Sequence, residues 1–384
     1  MEKEVISQKQ AVFIISSFIV GSSAVLGAGS QAKQDVWLAI IIAMVMASLI
    51  IFVYARISTL FPGKDIYEIL NTLFGKVFGK ILSLIFISYA FRLTALIIRD
   101  FMEFVRIISL SETPVCVLAF SSTILVIWAV RGGIELLGRS IAIFSPIFLL
   151  MISTVTFLSI PLFNFSNLKP VLYDGLQPVL KVSFGVFTFP FAELVVFLCL
   201  MGKIRRNSSI YKIYYSSLLF GGILLLVISL RSVLVLGVPN ILIQNFASYA
   251  SSRLIRIGSF IQRIEASIAL VFMISGYTKA TVCLYAVTKG VSHLFNIKDY
   301  RKMAAPIGIL LALYSIIVHS DAAELIEWAT DIYPYYAIPF QIIIPVIVWI
   351  TAEIKTRTSG KNNINKAEDE SAGDDALPSS LSSE

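Results

Sequence analysis

Charge is scarce in this chain. Asp, Glu, Lys and Arg make up 14% of its 384 residues, against about 25% in an ordinary soluble domain. A soluble globular fold is therefore excluded. Histidine is nearly absent, with only His293 and His319, so no histidine-based metal centre is expected. The three cysteines, Cys116, Cys199 and Cys283, all fall in apolar runs. They read as small buried residues rather than a disulfide framework. No phosphate-binding loop, zinc signature or nucleophile elbow occurs, so neither catalysis nor a cofactor is expected. The formal charge of +7 comes from basic residues in loops and calls for no nucleic acid. No cleavable leader is expected either: residues 1–10 are polar, and the apolar run after them is long enough to span a bilayer.

What the chain has instead is apolar length. It is 57% hydrophobic, in many runs of the roughly 20 residues that a membrane helix needs. The expected fold is all-α and integral to a lipid bilayer, with ten transmembrane helices near residues 9–30, 37–57, 81–108, 114–130, 136–160, 180–201, 213–236, 264–288, 304–318 and 335–354. Residues 1–354 form one transporter-like domain. Residues 355–384, rich in Ser, Asn, Asp and Glu, form a disordered tail. With the N-terminus in the cytoplasm, most Lys and Arg fall on the cytoplasmic side, as the positive-inside rule requires. Only Lys33, Arg106, Lys169, Lys181, Arg253, Arg256 and Arg263 fall outside. Both termini are then cytoplasmic. An even count permits two five-helix halves, about 9–160 and 180–354, in inverted topology.

Two spans are interrupted. Span 1 contains Gly21-Ser22-Ser23 and Leu26-Gly27-Ala28-Gly29-Ser30. Glycine costs about 1 kcal/mol in a helix interior, and backbone left unpaired in lipid costs several more. Span 6 contains Thr188-Phe189-Pro190-Phe191-Ala192-Glu193, where proline frees a carbonyl and kinks the helix. Breaks at corresponding places in two halves point to a binding site at the bilayer midplane. Gly21, Ser22, Gly27, Phe189, Pro190 and Phe191 are its first candidates.

Charged residues inside spans are costly, by roughly 2.5–3.5 kcal/mol each at the bilayer centre. Span 3 carries Arg92, Arg99, Asp100, Glu103 and Arg106. Arg92, Arg99, Glu103 and Arg106 share one helix face with Tyr89 and Leu96. That face either lines the cavity or forms an ion-pair ladder near the external end, with Arg99 and Glu103 as an i,i+4 pair. Span 8 carries Lys279 among Ser275, Gly276, Thr278 and Thr281. Lys279 is either a fixed cation in a site that other transporters fill with sodium, a salt-bridge partner of an acid on another span, or a lysine reaching the cytoplasmic interface. Glu193 either moves protons, holds the break together by accepting N–H groups, or pairs with a cation.

Several strings together resemble the B subunits of endospore germinant receptors, the GerAB-type germination permeases. They are Leu26-Gly27-Ala28-Gly29; Arg99, Met102-Glu103 and Glu112-Thr113-Pro114; Gly138-Arg139 with Phe144 and Pro146; Asn167-Leu168-Lys169-Pro170-Val171-Leu172 with Gly175-Leu176 and Pro178; Phe189 to Glu193 with Val196-Phe197; and Arg263-Ile264-Glu265. The resemblance implies an amino acid–polyamine–organocation type fold, LeuT-like, with helices 1 and 6 broken. It implies a nutrient-sensing subunit in the spore inner membrane, working with an A-type membrane subunit and a C-type lipoprotein. Carried over by position, Gly27, Pro190, Phe191 and Thr278 or Lys279 line the pocket.

The expected function is therefore a receptor that binds a small germinant such as an amino acid between spans 1, 3, 6 and 8. The ligand side chain is tested by Phe187, Phe189, Phe191 and Phe272. The rival is a proton-coupled amino acid transporter using Glu193 or Lys279. A third reading is a scaffold or conduit that binds nothing.

Overall fold

A computed structural model describes residues 4–205, 207–256 and 263–357. The described chain is built of helices joined by loops, with a single parallel bridge between Ile6 and Ile204. Among these residues nine helical stretches are long and apolar enough to cross a membrane. Helix α1 (Gln8–Val20), with 13 residues, is shorter; at 1.5 Å per residue it covers only about 20 Å. The tail expected at 355–384 lies almost wholly outside the described residues.

Local chemistry sets where the helices begin. Ser7 and Gln10 form a reciprocal capping box at the start of α1. Asp65 and Glu68 form another at the start of α4 (Ile66–Ile108), which begins well before the expected residue 81. The reason lies in Ile66, Ile69, Leu70 and Leu73, a buried stripe at i, i+3, i+4 and i+7 that gives this segment a face to pack. α4 leaves helical geometry once, at Gly75.

Both expected interruptions are present. α1 ends at Gly21, and a four-residue helix, α2 (Ser23–Leu26), follows it and ends at Gly27 with φ 71°. In span 6, α7 (Leu176–Val186) gives way to a widened turn over Phe187–Phe191. There Pro190 offers no N–H and Phe189 takes an extended conformation, φ −133°, ψ 109°. A tightly wound Ala192–Cys199 segment completes the span.

The other helices are α3 (Val36–Leu60), α5 (Val115–Gly132), α6 (Ile134–Ser159), α8 (Ile210–Ile243), α9 (Ala247–Ser252), α10 (Glu265–Leu294), α11 (Ala304–Ile317) and α12 (Ala322–Glu327). After α12 the chain runs on in helical form to Arg357. α10 packs on α4 and α1, and α8 on α1 and α3, so the broken segments sit in the middle of the bundle. Large apolar side chains such as Leu49, Trp128, Ile143 and Leu150 point outward, as a lipid-facing surface does.

The loop holding Asn167 to Leu172 is pinned at two places. Asn167 Nδ2 donates to the carbonyls of Val233 (3.3 Å) and Leu234 (3.1 Å) in α8. The Leu172 N–H donates to the Asp35 carboxylate at the start of α3. On the opposite side of the bundle lie both ends of the described chain. Glu4 accepts from Arg301 and Tyr300, Arg56 pairs with Glu353, and Lys355 reaches the Thr72 carbonyl.

Candidate functional site

The centre of the bundle is polar and buried. Lys279 on α10 and Glu193 just after the span 6 break are both fully buried, with Nζ 2.5 Å from Oε2. The ammonium also lies 4.3 Å from the ring centre of Phe189 and 5.1 Å from that of Phe18, within cation–π range. The lysine stem reaches this position by running past Gly21. A Cβ at Gly21 would sit 2.8 Å from Lys279 Cδ and 2.7 Å from the Phe18 carbonyl, closer than packed atoms approach. The glycine that breaks span 1 is thus also the gap through which the cation passes.

The other Glu193 oxygen, Oε1, accepts from the Tyr333 hydroxyl at 2.6 Å. From there the polar contacts continue. Tyr333 and Tyr89 hydroxyls are 3.1 Å apart. Gln341 Nε2 donates to Tyr89 (2.8 Å) and to the Thr188 carbonyl (3.0 Å), a group in the broken turn of span 6. The Tyr54 hydroxyl lies 2.6 Å from the Gln341 carbonyl and 3.0 Å from that of Ala192. Charge pairing and neutral hydrogen bonds therefore join segments from α3, α4, α10, the last span and the span 6 break. In a low-dielectric interior such a network is strong when complete and costly when broken.

Two cavities meet at Phe189. On the side away from the chain ends, a vestibule of about 470 Å³ is lined by Gly27, Gly29, Lys181, Asn245 and Asp331. Beneath it a chamber of about 40 Å³ is lined by Asp100, Glu193, Leu96, Trp328 and Tyr333. Leu26, Phe189 and Ala329 belong to both walls. On the side of the chain ends a third cavity of about 600 Å³ is lined by Glu4, Asp65, Cys199, Lys203 and Lys289. α2 starts at Ser23 with no side-chain cap from Ser22 on its first N–H groups. They are the donors that a broken helix leaves behind.

The candidates named from sequence fall in different layers. Gly21 lies against Lys279, and Ser275 Oγ is 3.4 Å from the Gly21 carbonyl. Ser22 is buried at the break beside Asp100. Gly27 faces the vestibule, and a Cβ there would lie 3.0 Å from Ala247 Cβ. Phe189 divides vestibule from chamber, while Pro190 and Phe191 are packed in the core. Thr278 Oγ1 bonds back to its own helix at Ile274.

Arg92 sits one layer out from the chamber. Its guanidinium is 4.6 Å from the Trp328 ring and 5.3 Å from Tyr336, and it donates to Tyr314. Arg99 pairs with Glu103 at 2.6 Å and donates to the carbonyls of Ile316 and Ser320, tying α4 to the connection between α11 and α12. Sequence reasoning missed Tyr54, Tyr333, Gln341 and Arg231. Arg231 is buried in α8 with Nη2 on the Ser248 side chain and carbonyl. For Arg231 a lone charge in an apolar run was the available signal.

The chain resembles known proteins over most of its length. The sequence profile of the family described as "Spore germination protein" matches residues 5–323. Spore germination protein KB of Bacillus subtilis (strain 168) is 27% identical over 371 residues, covering 96% of this chain and all of that one. Spore germination protein A2 of the same organism is 24% identical, covering 92% of this chain and all of its own. Among solved structures, MhsT in complex with L-phenylalanine aligns with a TM-score of 0.64 at 12% identity, over 92% of this chain and 100% of its own. Mhp1, a nucleobase-cation-symport-1 family transporter with bromovinylhydantoin bound, aligns with a TM-score of 0.64 at 11% identity, over 90% of this chain and 78% of its own. The fold is thus that of LeuT-like transporters, and the chain is an integral membrane protein.

Proposed function

The chain belongs to the spore germination protein family, and from that premise we propose that it senses a nutrient germinant, a small molecule such as an amino acid, at the bilayer midplane. The ligand enters from the vestibule, passes Phe189 and settles between spans 1, 3, 6 and 8. Its carboxylate is held by the uncapped N–H groups at the span 1 break, as helix ends hold anions. Phe189 and the neighbouring apolar wall test its side chain. Binding shifts a conformational equilibrium that an A-type membrane subunit and a C-type lipoprotein subunit read in the spore inner membrane, with both termini cytoplasmic. The observation that carries this reading is the uncapped helix start at Ser22 and Ser23, where span 1 resumes after its break, placed between an open vestibule and a buried ion pair.

Gly27→Leu is the test. Gly27 has φ 71°, which costs an L-residue roughly 1–2 kcal/mol, and its Cβ would press on Ala247. The variant is expected to reach the membrane at wild-type level and to lose the response to one germinant. An unchanged response removes this pocket from consideration.

The proton-coupled amino acid transporter is the second reading, and Glu193 on the chamber beneath the vestibule favours it. Counterflow of labelled amino acids into liposomes holding the chain alone separates the two: a sensor gives none. A scaffold or conduit subunit shows no ligand-dependent thermal shift in the purified receptor complex.

A further inference from the structure

Two carboxylates line the chamber beneath Phe189, and they are not equivalent. Both oxygens of Glu193 are committed, one to Lys279 and one to Tyr333. Asp100 is 8% exposed and lines the same chamber, yet no ion pair joins it to any cation among the described residues. Ser22 at the span 1 break lies beside it, within reach of its carboxylate.

The charges sum simply. Glu193 and Lys279 cancel, which leaves Asp100 as a net negative charge in a small chamber at mid-bundle. A buried charge without a partner is the costly arrangement, and a chain keeps one where something else completes it. The completing group must be cationic, small and able to donate hydrogen bonds. The walls beside Asp100, from Leu96, Ile97 and Trp328, suit the apolar remainder of such a molecule. At about 40 Å³ the chamber has room for a few waters, each needing roughly 10–15 Å³ of cavity. Anything larger therefore displaces Phe189 toward the vestibule.

We propose that Asp100 is the recognition residue for a ligand ammonium group, so that the germinant must carry a free amine. This rests on the reading of the chamber as the germinant site and adds the ligand's chemical class to it. Carboxylate and ammonium of a zwitterion would then be held by different elements: backbone N–H groups of span 1 for the first, Asp100 of span 3 for the second.

The test uses the full chain in lipid nanodiscs. The probes are the twenty L-amino acids, each with its N-acetyl derivative and its des-amino analogue, read by thermal shift and titration calorimetry. At least one free amino acid is expected to raise the wild-type melting temperature while its N-acetyl and des-amino counterparts do not. Asp100→Asn is expected to weaken that binding by about thirty-fold or more, and Asp100→Glu, which keeps the charge, to retain amine selectivity even where Asp100→Asn does not fold.

Equal binding of the N-acetyl or des-amino compounds overturns the proposal, as does undiminished binding by Asp100→Asn. A shift produced by sodium chloride but not choline chloride, with no amine present, also overturns it by making Asp100 a metal-ion ligand. Gly27→Leu separates the two levels. If it abolishes binding while Asp100→Asn does not, only the amine assignment fails. If no compound shifts the wild-type chain, the germinant pocket fails with it.

Discussion

Lys279 and Glu193 meet at 2.5 Å in the middle of the bundle, with neither side chain reaching solvent. Removing one member leaves the other charge buried alone, at a cost of about 3–5 kcal/mol. Lys279→Met and Glu193→Gln are each expected to lower thermal stability strongly. The double variant is expected to lose much less than the sum of the two. A double-mutant cycle of melting curves in detergent checks this; additive losses exclude the pair as an energetic unit.

Gly21→Ala is expected to destabilise the chain by about 1–3 kcal/mol, because the new methyl overlaps the Lys279 stem and the Phe18 carbonyl. Gly185→Ala is the control. Nothing lies within 4 Å of a Cβ there, so it should match wild type or gain up to about 1 kcal/mol as a helical residue. Equal melting temperatures for the two variants contradict the role given to Gly21.

Much of the breakage was legible beforehand, because glycine and proline in an apolar run have few other uses. Gly21, Gly27 and Pro190 each mark a place where helical geometry fails. The partner choices were less legible. Lys279 and Glu193 stand far apart in sequence, and the sequence left each with several roles, pairing among them. Tyr54, Tyr333 and Gln341 stayed invisible because a neutral hydroxyl or amide in a membrane helix looks like ordinary packing until its neighbours are known. The early start of α4 was missed for a different reason: charged residues around Asp65 and Glu68 hid the short apolar stripe of Ile66 to Leu73.

Arg99→Met should loosen the connection between α11 and α12. The guanidinium holds Glu103 and the carbonyls of Ile316 and Ser320 at once, so its loss strands one carboxylate and two acceptors. Hydrogen exchange over residues 316–324 is expected to quicken while exchange in α8 stays unchanged. Protection equal to wild type rules out Arg99 as the clamp.

His319 gives this same connection a pH response. Burial holds its pKa below the ordinary value of 6.5; Glu324 at 3.4 Å opposes the shift, and Arg92 and Arg99 reinforce it. The unfolded chain therefore takes up the proton first. The stabilisation is complete above about pH 6.5 and is lost as pH falls through the depressed native value. Protection factors over residues 316–324, corrected for the intrinsic pH dependence of amide exchange, should fall on acidification from pH 7.5 to 5, and His319→Gln should flatten that dependence.

The three cavities divide the bundle unequally. Vestibule and chamber share Leu26, Phe189 and Ala329, a wall one residue thick. From Glu193 on the chamber to Cys199 on the cavity beside the chain ends, the tightly wound segment spans roughly 12 Å at about 2 Å per residue. Every side chain between them, Leu194 to Leu198, is buried. A transmembrane voltage falls where there is no water, so nearly all of it would drop across that plug. The chamber charges then sit close to the potential of the vestibule side. Any movement of Lys279 toward the chain ends would do electrical work of up to about 2.3 kcal/mol per 100 mV, which couples the state of this centre to the energisation of the membrane around it.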